Sequence, residues 1–126
     1  MKVDFRTRFV GDVAVVDVVG NWDLASRKDL FRDVIVPLID KRYNKFVLNL
    51  SQLTYIDSSG LGSLVSSLTR ARANAGDLVA TSPTNKFRDL MAITRLDKLL
   101  AIYPTEEEAV ASFSKGPAAS AVSSTT

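Results

Sequence analysis

The 126-residue sequence contains no cysteine and no histidine. Without cysteine, disulfide bonds and thiolate sites are excluded. The two absences together remove the ligands of most zinc sites and the base of every Ser-His or Cys-His catalytic pair. The sequence therefore predicts neither a zinc protein nor a histidine-dependent hydrolase.

Strong charge and long apolar runs are also missing. The net charge of +2 is too small to indicate nucleic-acid binding. No apolar run approaches the ~20 residues of a membrane helix, and the N-terminus, MKVDFRTRFVGD, has no secretion-signal core. We expect a cytoplasmic protein with no membrane insertion and no direct nucleic-acid contact.

Apolar periodicity divides the chain into alternating strands and helices. Strands are predicted at 3–10, at 13–19, from Phe46, at 78–81 and at 99–103, with a helix after each from the second onward. The first strand has the mixed pattern of a sheet edge, and the second is nearly all β-branched, as in a central strand. This order predicts one α/β domain over residues 1–113, with a mostly parallel sheet of four to five strands, an antiparallel N-terminal edge strand and about four helices.

Four local features refine this outline. Pro37 should end or kink the first helix, and Gly76 should adopt a left-handed cap after the second. Thr105 and Glu108 have the spacing of a capping box before the last helix. Residues 114–126 are small, polar and without period, which predicts a disordered tail.

The pattern of residues 46–68 changes at Asp57 from alternation to a helical stripe. A polar turn, Asp57-Ser58-Ser59-Gly60, therefore opens a buried helix just beyond the carboxyl end of a strand. In open α/β sheets this is where ligands and partners bind.

Several chemistries fit this turn poorly. Gly60 and Gly62 open a helix after a strand, but Val65 replaces the third glycine of a dinucleotide fingerprint and no Gly-Lys-Ser/Thr follows. No Gly-x-Ser-x-Gly elbow is present. Asp23 and Asp57 alone make a poor metal site. We therefore expect no bound nucleotide or other cofactor, no metal and no enzymatic activity.

Two interpretations of the serines remain. A phosphate on Ser58 or Ser59 is tolerated at a helix N-terminus and adds about −1.5 to −2 charge. Either serine could instead cap the helix, which stabilises it by about 1 kcal/mol. The residues alone favour the cap and do not distinguish Ser58 from Ser59.

The stretch VLNLSQLTYIDSSGLGSLV resembles the signature of the STAS domain of anti-sigma factor antagonists and sulphate transporters. VVDVVGNWDLAS resembles the family's Gly-x-x-Asp loop, here Gly20 and Asp23, and EEEAVASF resembles its last helix. The resemblance extends over about residues 3–113 and implies a STAS-like fold.

For an anti-sigma factor antagonist, the resemblance implies that Ser58 is phosphorylated by the anti-sigma factor, itself a serine kinase using ATP. The unphosphorylated protein binds the kinase, phosphorylation releases it, and a PP2C-type phosphatase resets the switch. The implied partner-binding residues are Asp23, Asp57, Ser59, Gly60, Leu61 and Gly62.

The chain also departs from the family pattern. Asn21 and Trp22 replace the family's acidic residue and leucine, and Arg95 stands where glycine is common. An alternative function is a STAS subunit of a lipid-transport or stress-sensing scaffold complex, in which the serine is only a cap. Monomer and weak homodimer both remain open, because Phe5, Phe9 and Trp22 are candidates for either core or contact.

Overall fold

The computed structural model of the chain describes residues 3–23 and 30–114. The strands are β1 (Asp4–Val10), β2 (Val13–Trp22), β3 (Lys45–Ile56), β4 (Asp77–Thr81) and β5 (Ile102–Tyr103). The helices are α1 (Leu30–Asp40), α2 (Ser58–Ala73), α3 (Asn85–Thr94) and α4 (Glu106–Ser114), with a short 3₁₀ turn at Leu96–Lys98. The predicted order of elements is confirmed.

The five strands form one sheet in the order β1-β2-β3-β4-β5. β1 is antiparallel to β2 and the other neighbours are parallel, as predicted. Helices α1, α2 and α3 pack on one face, where Phe31, Leu68 and Phe87 belong to the main core. Helix α4 covers the other face, where Ala109 packs with Val47 in a smaller apolar cluster. The fold is therefore a single α/β domain with helices on both faces of the sheet.

Strand β3 extends well beyond its neighbour β4. It pairs with β4 only over 45–49, ending at the Asn49–Thr81 pair, whereas its pairing with β2 continues to Ile56 opposite Trp22. The second half of β3 therefore has a strand beside it on one side only, and this half leads directly into the Asp57 turn.

The structure corrects two predicted strand ends. Strand β2 continues to Trp22 instead of ending at Val19, because the Trp22 side chain is buried and packs on Phe5 and Phe31. The last strand begins at Ile102 instead of Leu99. The N–H groups of Leu99 and Leu100 both bond to the Leu96 carbonyl, so the chain curls there before it can extend.

Two helix ends differ from those predicted, since the first helix does not end before Pro37 and Gly76 is not the left-handed residue after the second. Helix α1 runs through Pro37 to Asp40, and the Lys41 N–H bonds back to the Pro37 carbonyl at 3.1 Å. The proline removes one helical hydrogen bond, but Ile35 and Leu38 on either side keep the helix packed on the core. After α2, Ala75 and not Gly76 adopts the left-handed conformation, with φ of 61°.

The threonine half of the predicted capping box at α4 is confirmed, since the Thr105 hydroxyl accepts from the Glu108 N–H at 3.2 Å, and the Glu108 carboxylate accepts from that hydroxyl at 3.3 Å. Phe5 and Trp22 belong to the core or pack on it, whereas Phe9 is half exposed. Ser114 still lies in α4, so the predicted tail begins one residue too early, and 115–126 lie outside the described residues. Within the described ranges, no helix has the length and apolar character to cross a bilayer.

Candidate functional site

Asp57 caps helix α2. Its carboxylate accepts hydrogen bonds from the backbone N–H groups of Ser59 at 2.9 Å and Gly60 at 3.1 Å. Its backbone carbonyl accepts the first helical bond, from Leu61, at 2.9 Å. The interpretation of Ser58 or Ser59 as the helix cap is therefore wrong: the aspartate performs that function, and its two side-chain bonds leave less of the helix N-terminus open to an added anion.

Ser58 and Ser59 are the first two residues of α2, and both are exposed. Within residues 3–23 and 30–114, no hydrogen bond engages the Ser58 hydroxyl. The hydroxyl is therefore accessible to another protein and is not needed for the local fold.

Gly60 is buried where α2 crosses the end of β2. A Cβ atom at this position would lie 2.4 Å from the Trp22 carbonyl oxygen and 2.7 Å from Cγ1 of Ile56. Gly62 is different: it is exposed, and a Cβ there would meet nothing within 4 Å. The first glycine permits the close approach of helix and strand, and the second keeps the helix surface flat.

The ends of β2 and β3 meet beside Ser58, where Trp22 pairs with Ile56. The Asp57 N–H donates to the Trp22 carbonyl at 3.2 Å, and the residue that follows Trp22 is the half-buried Asp23. The loop that continues from Asp23 lies outside the described residues. Leu61 is half buried and packs on the core. The exposed part of the predicted surface is thus Ser58, Ser59 and Gly62, with Asp23, Asp57 and Leu61 partly accessible.

Sequence reasoning missed the polar link between the two strand ends. The Thr54 hydroxyl donates to the side-chain oxygen of Asn21, one residue before Trp22. It also missed Tyr55, whose side chain is 55% exposed three residues before Ser58. The alternation of apolar and polar residues in β3 indicates which side chains face outward, but it does not show how much of Tyr55 other elements cover.

A separate group of charges joins β1, β2 and α4. Arg8 donates through Nε to Asp17 at 2.9 Å and through Nη1 to Glu106 at 2.7 Å. These bonds hold the pKa of both carboxyl groups below their ordinary values, mainly through the hydrogen bond from Arg8. The cluster fastens the start of α4 to the sheet and contains none of the predicted site residues.

The site offers little to a metal ion or to acid-base chemistry. In the described part of the chain, no group of three or more acidic side chains lies close enough to hold a metal. The exposed serines have a neighbouring carboxylate, but it is occupied by backbone N–H groups. The described site therefore presents two exposed serines beside a carboxylate that caps the helix.

Comparison with known proteins places this fold and site in a family. The sequence profile of the STAS domain matches residues 4–109. The chain belongs to the STAS domain family. The match includes the end of β2, all of β3, the Asp57 turn and α2, and it ends at Ala109 within the last of the three stretches that suggested the resemblance.

Named relatives of this STAS domain are anti-sigma factor antagonists. The Thermotoga neapolitana homolog of TM1081, provisionally named an anti-sigma factor antagonist, is 36% identical over 106 residues, covering 84% of this chain and 94% of its own. The anti-sigma-B factor antagonist of Staphylococcus epidermidis is 28% identical over 102 residues, covering 81% and 94%.

Solved structures agree with the fold. The crystal structure of TM1081 from Thermotoga maritima has a TM-score of 0.79 and 29% identity, covering 86% of this chain and 92% of its own. The unphosphorylated form of the anti-sigma factor antagonist SpoIIAA has a TM-score of 0.68 at 18% identity, with coverage of 90% and 99%. At that identity, SpoIIAA is evidence for the fold alone.

Proposed function

We propose that this STAS domain is an anti-sigma factor antagonist controlled by phosphorylation of Ser58. In this proposal the unphosphorylated protein binds an anti-sigma factor that is also a serine kinase, and it releases the kinase once Ser58 carries a phosphate. A PP2C-type phosphatase restores the binding form. The chain itself acts as a binding protein and not as an enzyme.

The observation that carries the proposal is the exposed Ser58 hydroxyl on a turn that Asp57 already stabilises. A hydroxyl that caps its own helix would be engaged, and modifying it would weaken the fold. Here the cap is the preceding aspartate, so a phosphate on Ser58 would change the surface while the helix keeps its start. The same observation contradicts the cap role that the alternative function assigns to the serine, since Asp57 is the cap.

The charge of the phosphate supplies the switch. Asp57 carboxylate bonds occupy the N–H groups of Ser59 and Gly60, so the added group would stay largely directed toward the partner. A phosphate carries about −1.5 to −2 charge at neutral pH. One partner carboxylate at about 4 Å would repel a unit charge by about 1 kcal/mol in water and about 4 kcal/mol at an effective dielectric of 20.

These energies are of the size that a binding switch requires. A shift from 1:99 to 99:1 between two states needs about 5.5 kcal/mol. One or two such contacts in a partly desolvated interface therefore suffice. The surrounding surface already contains Asp57 and Asp23, so a partner selected for the unphosphorylated form meets still more negative charge after modification.

The relatives support the proposal that the partner is an anti-sigma factor. Anti-sigma factor antagonists are the named relatives of this chain, and the solved structures of SpoIIAA include a phosphorylated form. The fold can therefore hold a phosphoryl group without being lost.

The test is to incubate the full chain with its cognate anti-sigma factor kinase and ATP and to locate the phosphate by mass spectrometry. Ser59→Ala is the matched control, because Ser59 is also exposed and lies next in the chain. We expect one phosphate on the wild type and on Ser59→Ala, and none on Ser58→Ala. Phosphate on Ser59, or none at all with a kinase that binds the protein, would contradict the proposal.

A further inference from the structure

Beside the Ser58 turn, the second half of β3 has an open edge that faces a groove. Between Gln52 and Ile56 the strand pairs with β2 on one side, but β4 ends at Thr81 opposite Asn49. In a parallel strand, alternate peptide groups point to alternate sides, so this segment directs part of its backbone away from β2. Apart from the Ser51 N–H, which the Asn49 side chain accepts, the described residues give that edge no hydrogen-bond partner.

The groove lies between this edge and helix α3. Its walls are residues 53–56 of β3 and, from α3, Lys86, Phe87 and Leu90. Most of the lining is apolar, with Phe87 forming a buried floor and Tyr55 exposed at the rim. Open strand edges with an adjacent apolar groove are the feature that extended peptides use when they add a strand to a sheet.

Lys86 gives the groove a positive charge. It is exposed and, among the described residues, forms no ion pair. It lies in the first turn of α3, where no acidic residue is present and where the helix dipole disfavours a cation. Because the first turn supplies no acidic neighbour, the Lys86 ammonium is available to a carboxylate of a partner.

We propose that the groove binds an extended segment of the anti-sigma factor kinase, which pairs with the open edge of β3. This inference rests on the proposed function and identifies where the partner docks. The segment would place an apolar side chain against Phe87 and Leu90 and a carboxylate near Lys86. Tyr55 lies three residues before Ser58, about 10 Å along an extended chain, so docking here brings the kinase within reach of the hydroxyl.

Other occupants fit less well. The chain's own residues 115–126 contain no aspartate or glutamate and offer no side-chain carboxylate for Lys86. The described edges of a second copy would pair backbone to backbone, but they would bring no phosphoryl donor to Ser58. A segment of the kinase accounts for all three features: its backbone pairs with the open edge, its carboxylate lies near Lys86, and it brings the phosphoryl donor close to Ser58.

The first test measures the affinity of the unphosphorylated full chain for the kinase by calorimetry. Lys86→Glu should weaken binding about tenfold, because it replaces attraction by repulsion at the groove. The matched control is Arg88→Glu, an identical charge change on the same helix at an exposed residue that does not line the groove. We expect the control to change affinity by less than about threefold.

The second test follows the edge directly by amide hydrogen exchange. Binding of the kinase should protect residues 53–56 while leaving the outer edge of β1 unchanged. Tyr55→Thr, which keeps a β-forming residue, should weaken the complex about fivefold or more without altering the unfolding transition. Wild-type affinity in both groove variants, with no protection at residues 53–56, would overturn the docking assignment.

The outcomes separate this inference from the proposed function. If groove variants bind normally and Ser58 is still phosphorylated, only the docking site is wrong. If the wild-type chain neither binds the kinase nor is phosphorylated, both fail. Protection at 53–56 that appears with protein concentration alone, or that disappears when the chain ends at Ser114, would assign the groove to a second copy or to the tail and overturn the partner assignment.

Discussion

Replacing Gly60 by alanine tests how tightly the start of α2 is fixed against the sheet. The new Cβ would lie 2.4 Å from the Trp22 carbonyl oxygen, a backbone atom that also accepts the Asp57 N–H bond. It would lie 2.7 Å from Cγ1 of Ile56. Neither contact can be relieved by a flexible side-chain end, so the helix start must move away from β2.

The expected cost follows from three effects. Overpacking a close contact costs about 1–3 kcal/mol, and weakening the Asp57–Trp22 hydrogen bond costs about 1 kcal/mol. Alanine in a helix gains about 0.5–1 kcal/mol over glycine. The net destabilisation of Gly60→Ala is therefore about 2 kcal/mol. Gly62→Ala carries only the favourable effect, because its Cβ meets open space.

Thermal or urea unfolding followed by tryptophan fluorescence measures both variants. The chain has one tryptophan, Trp22, and it is buried beside Gly60. For a domain of this size, Gly60→Ala should lower Tm by about 10 °C, and Gly62→Ala should raise it by about 2–4 °C. Equal effects of the two substitutions would refute the reasoning, since they would show that the helix start is not held against β2.

Three further predictions address the charges and caps. Arg8→Gln should destabilise the protein by about 1 kcal/mol at neutral pH. Asp17 and Glu106, which accept from Arg8, have lowered pKa values in the folded state, so the stability they add is present above their ordinary pKa values and is lost as the pH falls through about 4 and below. Urea titrations should therefore show the stability of the variant converging with that of the wild type at low pH. A difference in stability that stays constant with pH would contradict the contribution of these ion pairs. Asp57→Ala should cost about 1 kcal/mol through the lost cap, whereas Asp57→Asn should stay within about 0.5 kcal/mol of wild type in the same assay, and similar losses in both would show that the charge and not the cap matters. Arg95→Gly should stabilise the protein by about 0.5–1 kcal/mol in thermal unfolding, because Arg95, the cap residue that follows α3, has φ of 63°. Arg88→Gly inside α3 should destabilise the protein by about 1 kcal/mol, and a loss of stability in both variants would contradict the left-handed strain at Arg95.

The architecture could be predicted because each element has a clear period and its neighbours agree. The alternation of β3 and the helical stripe of α2 place the Asp57 turn without any structure. The comparison with the family pattern at Arg95 also agrees with the structure. The family often has glycine at this position, and Arg95 adopts the left-handed conformation that glycine favours. Local rules and family resemblance therefore gave the same outline.

The errors come from tertiary contacts that no local pattern reports. Trp22 extends β2 because it packs with Phe5 and Phe31, and α1 tolerates Pro37 because its flanking residues are buried. Gly76 was predicted to provide a left-handed turn, but its actual constraint is the Asn44 carbonyl oxygen, which a Cβ would approach to 1.8 Å. Contacts between segments distant in sequence decide these three positions.

The site could be predicted only in part, because its geometry also depends on tertiary contacts. Asp57, Ser58 and Ser59 are consecutive polar residues at a helix start, and serine is a common cap. Only the geometry assigns the cap to Asp57 and leaves Ser58 exposed. The open edge of β3 is invisible in the sequence because it depends on where β4 ends, beyond the Asn49–Thr81 pair.

The affinity of the anti-sigma factor kinase for the two forms of the chain tests the central claim most directly. The protein is phosphorylated to completion at Ser58, its fold is checked by Trp22 fluorescence, and both forms are titrated with the kinase. We expect the phosphorylated form to bind at least about a hundredfold more weakly, which corresponds to about 2.7 kcal/mol. Affinities within about twofold of each other, with the fold unchanged, would contradict the account.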